Sequence, residues 1–272
     1  MKKLFLASSI LFFSLYLFAQ KTNPPGLDLI KEADLKKDLY ALADAHFKGR
    51  SAGTLDELKA SVWLAEKYRS IGLLPAGDDG TYLQFFTMWR NRIADNSFIR
   101  IQNTTFKLWK DISVGQMANI NLNAPIVYLG NAVNIDTNNV DVKNKVVAFE
   151  ASAIGINLNI SLPTWRYSRS VLNKYAMPLI KRGAIAIIIV ADDIAEKAWD
   201  DANENFKRGT FDIEGGPNST VNTKVPVLWL HKNGKNIFTN GSVNIEANLI
   251  VEKYPYPSVN IIIESPSFNV IS

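Results

Sequence analysis

The stretch KRGAIAIIIV, residues 181–190, sets two opposite local signals side by side. Lys181 and Arg182 close a helical pattern that begins near Tyr167, and Gly183 supplies the stop, since glycine alone enters the left-handed region without cost. Ala184–Val190 then runs without a polar residue. Too short for a helix and rich in β-branched side chains, it reads as a strand buried on both faces. Such a strand belongs in the middle of a sheet, with the preceding helix packed upon it. Pro178 is expected to kink that helix, because proline lacks the N–H that the interior turn needs.

Around this strand the chain alternates short Val/Ile/Phe/Trp runs with Asn, Asp and Gly, a mainly β texture that starts at Tyr82. The expected strands are Tyr82–Trp89, Ser97–Trp109, Pro125–Leu129, Lys145–Glu150, Ala184–Val190, Val225–Trp229, Val243–Val251 and Ser258–Ile263. Upstream the period is helical. Leu35, Leu39, Leu42 and Ala43 define a first helix over Leu29–Ala45. Thr54 and Glu57 form a capping-box pattern before a second, whose apolar face carries Val62, Trp63, Ala65 and Ile71 and which stops at Gly72. The expected fold class is therefore α+β: an N-terminal helical pair, then a β-rich α/β domain. No internal repeat is present.

Lys2 and Lys3 precede an apolar run from Leu4 to Phe18, and Ala19 offers a small residue for cleavage. This predicts a secretory signal peptide over residues 1–19, the run being shorter than the roughly 20 residues that span a bilayer. Residues 21–28, KTNPPGLD, read as the linker leaving it. The expected location is secreted or periplasmic, with no membrane contact after cleavage. The sequence has no Cys, which excludes disulfides, a thiol nucleophile and Cys-ligated zinc. A formal net charge of +4, part of it from Lys2 and Lys3, gives no support to a nucleic-acid surface.

Residues 46–54, HFKGRSAGT, contain the G-x-S-x-G pattern of a hydrolase nucleophile elbow, with Ser51 as nucleophile and His231 as the only later His. An elbow needs a strand before the serine. The preceding KKDLYALADAHF is helical, so the loop reads better as a connection in which Gly49 ends one helix and Gly53 precedes the cap of the next. Extended in both directions, the pattern is more specific. Asp38-Leu39, Leu42-Ala43, Gly49-Arg50, Gly53-Thr54, Glu57, Ala60, Ala65, Gly72-Leu73, Pro75-Ala76-Gly77, Gly80, Tyr82 and Gln84-Phe85 together resemble the N-terminal signature of secreted zinc aminopeptidases, metallopeptidase family twenty-eight. VDVKNKVVAFE, the KRGA helix end, AIAIIIV and VPVLWL look like the protease-associated (PA) domain often inserted in that family. PSFNVIS, residues 266–272, is similar to the segment with which the family's chain re-enters its catalytic domain.

The resemblance implies a helical and strand lobe at 20–112, a PA-like domain at 113–252 and, at 253–272, the start of a peptidase α/β domain that the sequence does not contain. The two-zinc site of the family, a His-x-Asp motif, a Glu-Glu pair, an Asp and a last His, would follow and has no counterpart here. No catalytic, cofactor-binding or metal residue is therefore assigned. On this reading the chain is catalytically silent, zinc belongs only to a full-length relative, and the partners are a peptide or protein substrate and the missing peptidase domain in cis. Two rivals stay open: a complete exported module that binds a protein or peptide, and a serine hydrolase using Ser51 and His231.

The remaining candidates are weaker. His46 sits beside Asp44 at a helix end, where His often serves the helix dipole. His231 has no acidic residue near it in sequence. The acidic run Asp192–Asn205 lacks calcium-loop spacing and reads as a solvated helix or loop face. Trp165, Tyr167, Tyr175 and Trp199 could suggest a sugar platform, but in a β-rich domain they fit packing better. Asn103, Asn159, Asn218 and Asn240 each begin an N-x-S/T sequon.

Overall fold

The computed structural model describes residues 26–156, 165–216, 219–221, 223–238 and 241–266. Residues 1–19, the first part of the linker, Asn159, Asn218, Asn240 and residues 267–272 lie outside them. The chain divides into two compact units, one formed by its N-terminal part up to Leu83 together with the segment from Ile261, the other by Gln84–Asn260. Helix and sheet are both well represented, as the α+β expectation requires. No helix among the described residues is long and apolar enough to cross a membrane.

In the first unit, helix α1 spans Glu32–Ala43 and α2 spans Leu55–Ser70. The loop between them caps α2 as its sequence requires. Thr54 Oγ1 accepts from Glu57 N at 3.2 Å, while Glu57 Oε2 accepts from Gly53 N at 2.7 Å, so two amide groups at the helix start are satisfied reciprocally. Lys67 Nζ, 2.7 Å from Asp38 Oδ1, ties α2 to α1. The expected apolar faces are only partly buried. Phe47, Ala60 and Ala65 are covered, but Leu39 is 63% and Ile71 71% exposed, with Leu35 and Val62 also open. These side chains keep helical spacing yet find no core among the described residues. A short strand, β1 (Leu74–Pro75), follows.

The second unit begins with β2 (Leu83–Phe86), β3 (Met88–Ile93), β4 (Phe98–Ile101), β5 (Thr104–Phe106), β6 (Ile112–Gln116) and β7 (Ile120–Asn131). It continues with β8 (Val146–Glu150), α3 (Trp165–Val171), a π turn at Leu172–Ala176, α4 (Met177–Lys181) and β9 (Ala186–Val190). Helices α5 (Asp193–Lys197) and α6 (Trp199–Arg208) precede β10 (Thr210–Ile213), β11 (Val227–Leu230), β12 (Val243–Leu249), β13 (Val251–Pro255) and β14 (Ser258–Ile261). An eight-stranded sheet has the order β5-β4-β12-β7-β8-β9-β11-β6. Its middle, β7-β8-β9-β11, is parallel and its flanks are antiparallel. A second sheet runs β10-β3-β13.

Strand β9 is central, as its composition demands. Ala186, Ile188 and Val190 join one apolar cluster, with β4, β6 and β12, while Ile187 and Ile189 join the other, with Leu179 and Val171 from the helical run. Alternate side chains of a strand point to opposite faces, so a strand apolar at every position needs two cores. Full burial of each isoleucine stabilises by about 1.5–3 kcal/mol.

Several boundaries differ from expectation. Ser97–Trp109 is a hairpin rather than one strand, turning at Gln102, whose φ is +54°. Val243–Val251 splits into β12 and the start of β13. Strands β6 and β10 were not anticipated. Pro178 does not break the helical run; the chain widens instead, Met177 N–H reaching back to Leu172 O through the π turn. Strands β3–β5, grouped by sequence with the helical lobe, pair within the second unit, β4 with β12 and β3 with β13. The chain then re-enters the first unit, where β15 (Ile263–Glu264) pairs antiparallel with β1 and Ala76 N donates to Ile262 O at 3.2 Å.

Burial predicts a contrast. Ile188→Ala should destabilise the second unit by about 2–5 kcal/mol, whereas Leu39→Ala should change stability by no more than about 0.5 kcal/mol. Urea unfolding of both variants checks this, and a comparable cost for the two would contradict the burial assigned to them.

Candidate functional site

The loop around Ser51 is exposed and occupied with helix ends. Ser51 O accepts from Thr54 N at 3.2 Å and from Thr54 Oγ1 at 2.5 Å, and Arg50 Nη1 donates to Leu42 O. His231 belongs to the second unit. Its Nδ1 lies 2.7 Å from Glu196 Oε1 and its Nε2 2.9 Å from Lys110 O, and the ring stacks on Trp199 at 3.7 Å. A carbonyl only accepts, so Nε2 is the donor in that bond. With both nitrogens engaged, His231 clamps α5 and the turn after β5 to the end of β11, and offers no free base.

Asp44 Oδ1 accepts from His46 N at 2.7 Å, capping the short helical turn Ala45–Phe47. The His46 ring meets Phe47 edge-on. Among the described residues no three His, Asp or Glu side chains converge as a metal would need.

The acidic run at 192–205 forms α5 and α6, and it is more than a solvated face. Trp199, Ala202 and Asn203 are buried, and Asn203 bonds Ser113 Oγ and Trp109 O. Asp192 caps α5, accepting from Ala195 N at 2.9 Å, and also accepts from Tyr167 Oη. Burial, reinforced by that bond, pushes the Tyr167 phenol well above its ordinary range. Tyr175 Oη donates to Ile154 O at 2.6 Å. Tyr167, Tyr175 and Trp199 are thus core residues, and Asn103 sits in the exposed turn between β4 and β5.

In the first unit a shallow groove lined by Leu55, Leu58, Val62 and Trp63 extends the exposed apolar stripe, with Asp44, His46 and Lys59 as its titratable side chains. The second unit holds a cleft of about 580 Å³ with a mixed lining. Its floor is β6 laid over Trp229 of β11. Gly115 is required there, because a Cβ would lie 2.8 Å from Trp229 Cδ1 and Nε1. The Trp229 indole N–H is buried with no acceptor among the described residues.

One wall comes from α3 and the π turn, with Arg169 and Asn173; another comes from the end of α6, with Phe206 and Arg208. Helix α6 ends against β3 at Gly209, where φ is +80° and a Cβ would strike Asn91 O at 2.0 Å. The rim is held by a buried carboxylate. Asp212 Oδ1 accepts from Thr220 N at 2.7 Å and Thr220 Oγ1 at 2.6 Å, and Asp212 Oδ2 accepts from Asn91 Nδ2 at 2.9 Å. Burial alone would raise the Asp212 carboxyl, but the bonds from Thr220 and Asn91 and the charge of Lys253 outweigh it and hold it below the ordinary carboxylate range.

Sequence reading did not reach this cleft. Arg169 and Arg208 look like ordinary surface charges, and Gly115 lies in a strand broken by polar residues.

No protein-family model matches the chain, and a search of curated proteins gives no match. Among solved structures, an aminopeptidase from Aneurinibacillus sp. strain AM-1 superposes with a TM-score of 0.45 at 16% identity, over 86% of this chain and 49% of its own. A zinc aminopeptidase from Bacillus subtilis gives 0.42 at 14% identity, over 85% and 47%. A peptidase M28 precursor from Shewanella amazonensis SB2B gives 0.42 at 14% identity, over 85% and 52%. The chain spans about half the length of these proteins. Superpositions scoring below 0.5 do not establish a common fold.

The depressed Asp212 carboxyl carries a pH dependence. A group whose folded pKa lies below its unfolded value, about 3.9, stabilises above that value and loses its contribution as pH falls through the folded pKa. Asp212→Asn should therefore cost about 1–3 kcal/mol at neutral pH, with the gap from wild type shrinking below about pH 4. Urea midpoints across this range test it; a gap independent of pH would contradict the assignment.

Proposed function

We propose that this chain is the N-terminal portion of an exported zinc aminopeptidase acting on peptides, and that it carries none of the metal ligands itself. One observation carries the reading: the second unit is an insertion. Residues on both sides of it, through β1 and β15, belong to the first unit, which is the arrangement expected of a PA-like module set into a peptidase body. The sequence resemblance from Asp38 to Phe85 falls on the helices and loop of the first unit and on the start of β2. The exposed Leu35, Leu39, Val62 and Ile71 supply the apolar surface that a peptidase domain in cis would cover.

A second reading, a stand-alone exported module that binds protein or peptide, is favoured by the cleft of the second unit. Against the serine-hydrolase reading stand the Glu196 and Lys110 bonds that engage both ring nitrogens of His231.

The test is the reading frame beyond the codon for Ser272. Continuation into a His-x-Asp segment and then a Glu-Glu pair is the expected result, with zinc-dependent release of N-terminal residues from peptides by the longer protein and none by residues 20–272 alone. A stop codon directly after Ser272 would sink the peptidase reading and leave the binding module.

A further inference from the structure

We infer that the cleft of the second unit is a binding site for an extended peptide segment bearing a carboxylate next to an apolar side chain. The proposal stands on the geometry of this unit alone, so neither its success nor its failure decides the peptidase reading.

Charge is the first argument. Arg169 and Arg208 both line the cleft, and its lining includes no Asp or Glu. Several basic side chains of the unit pair with acids, Arg92 with Glu252, Arg100 with Glu246, Lys145 with Asp141 and Lys232 with Asp193, while others, such as Arg90 and Lys174, bond carbonyls. Among the described residues neither cleft guanidinium has such a partner. Arg208 reaches only the neutral Asn205 Oδ1, at 3.2 Å. A guanidinium is weakly hydrated and presents a planar fork of donors, so a carboxylate is its best-matched ligand. Two of them in a lining without acids make a positive site, the rim carboxylate Asp212 being occupied by Thr220, Asn91 and Lys253.

The rest of the lining fixes the ligand class. Met117, Leu172, Met177 and Phe206 give apolar contact, the two methionines being adaptable to side chains of different shape. A free inorganic anion would leave that surface unused. Asn173 adds an amide group able to pair with a peptide backbone, offering both donor and acceptor. The volume lies within the range of about 300–1,000 Å³ typical of small-ligand sites, enough for a short peptide segment and too little for a folded domain. The floor is pre-formed, Gly115 being seated on Trp229, and the Asp212 bonds hold the rim, so little ordering is lost on binding.

The test titrates the full chain with three fluorescein-labelled pentapeptides of sequence Ala-Leu-X-Phe-Ala, amidated at the C-terminus, with X as Glu, Gln or Lys. The Glu peptide should bind saturably, the Gln peptide about tenfold more weakly, and the Lys peptide not at all. Added salt should weaken the Glu peptide. Arg169→Gln and Arg208→Gln, both on exposed positions, should each weaken it by about tenfold with unchanged circular dichroism. Failure of the Glu peptide to saturate at millimolar concentration, equal binding of all three peptides, or full affinity in the double variant would each overturn the proposal. So would binding of inorganic phosphate without binding of any peptide, which would mark a simple anion site.

Discussion

The second unit depends on the fact that Ala186–Val190 has no polar face. A strand with a solvated side could have closed a two-layer sandwich; this one requires cover above and below. Its neighbours are β11, apolar throughout, and β8, apolar up to Glu150, which faces Val190, so the three strands form a slab with helices on one face and the antiparallel flanks on the other. Parallel pairing forces long crossovers. The crossover from β8 to β9 includes α3, the π turn and α4. That from β9 to β11 includes α5, α6 and β10. The cleft lies where these two crossovers end beside β6, so the site follows from the connection that the buried strand demands.

Function attaches to what the crossovers carry. The sheet contributes Trp229 of β11 and Val114, Gly115 and Gln116 of β6 to the cleft lining. Its charge comes from α3 and α6, on opposite sides of β9 in the sequence. Asp212 ties the three-stranded sheet to the rim by anchoring Thr220, and its ionised state is secured by donors rather than by exposure. Rigidity and polarity thus come from different parts of the unit. The π turn belongs to the same economy: with Pro178 unable to donate, the helical run keeps its direction by widening one turn, and that turn, with Asn173, is part of the wall.

Much of the scaffold was legible because its signals are local. The all-apolar β9, the Gly183 stop, the Thr54–Glu57 cap and the two N-terminal helices each depend on residues within a turn of one another. Burial of the helices was less legible, since Leu35, Leu39 and Ile71 show helical spacing without a covering core. Strands β6 and β10 escaped because Ser113 and Asp212 interrupt their apolar pattern, and both are satisfied only by distant partners, Asn203 for one, Asn91 and Thr220 for the other. The hairpin at Gln102 escaped because its left-handed residue is not glycine. No single-residue signal could have found the cleft: Arg169 and Arg208 acquire meaning only when α3 and α6 face the same hollow.

The most direct test of the account is amide hydrogen exchange across the full chain under native conditions. Amides of Val146–Glu150, Ala186–Val190 and Val227–Leu230 should be the slowest to exchange, opening only with global unfolding of the second unit, while Glu32–Ala43 exchanges far sooner. Equal protection of α1 and β9, or faster exchange at β9, would contradict the claim that a strand buried on both faces is the foundation on which the rest of the unit is built.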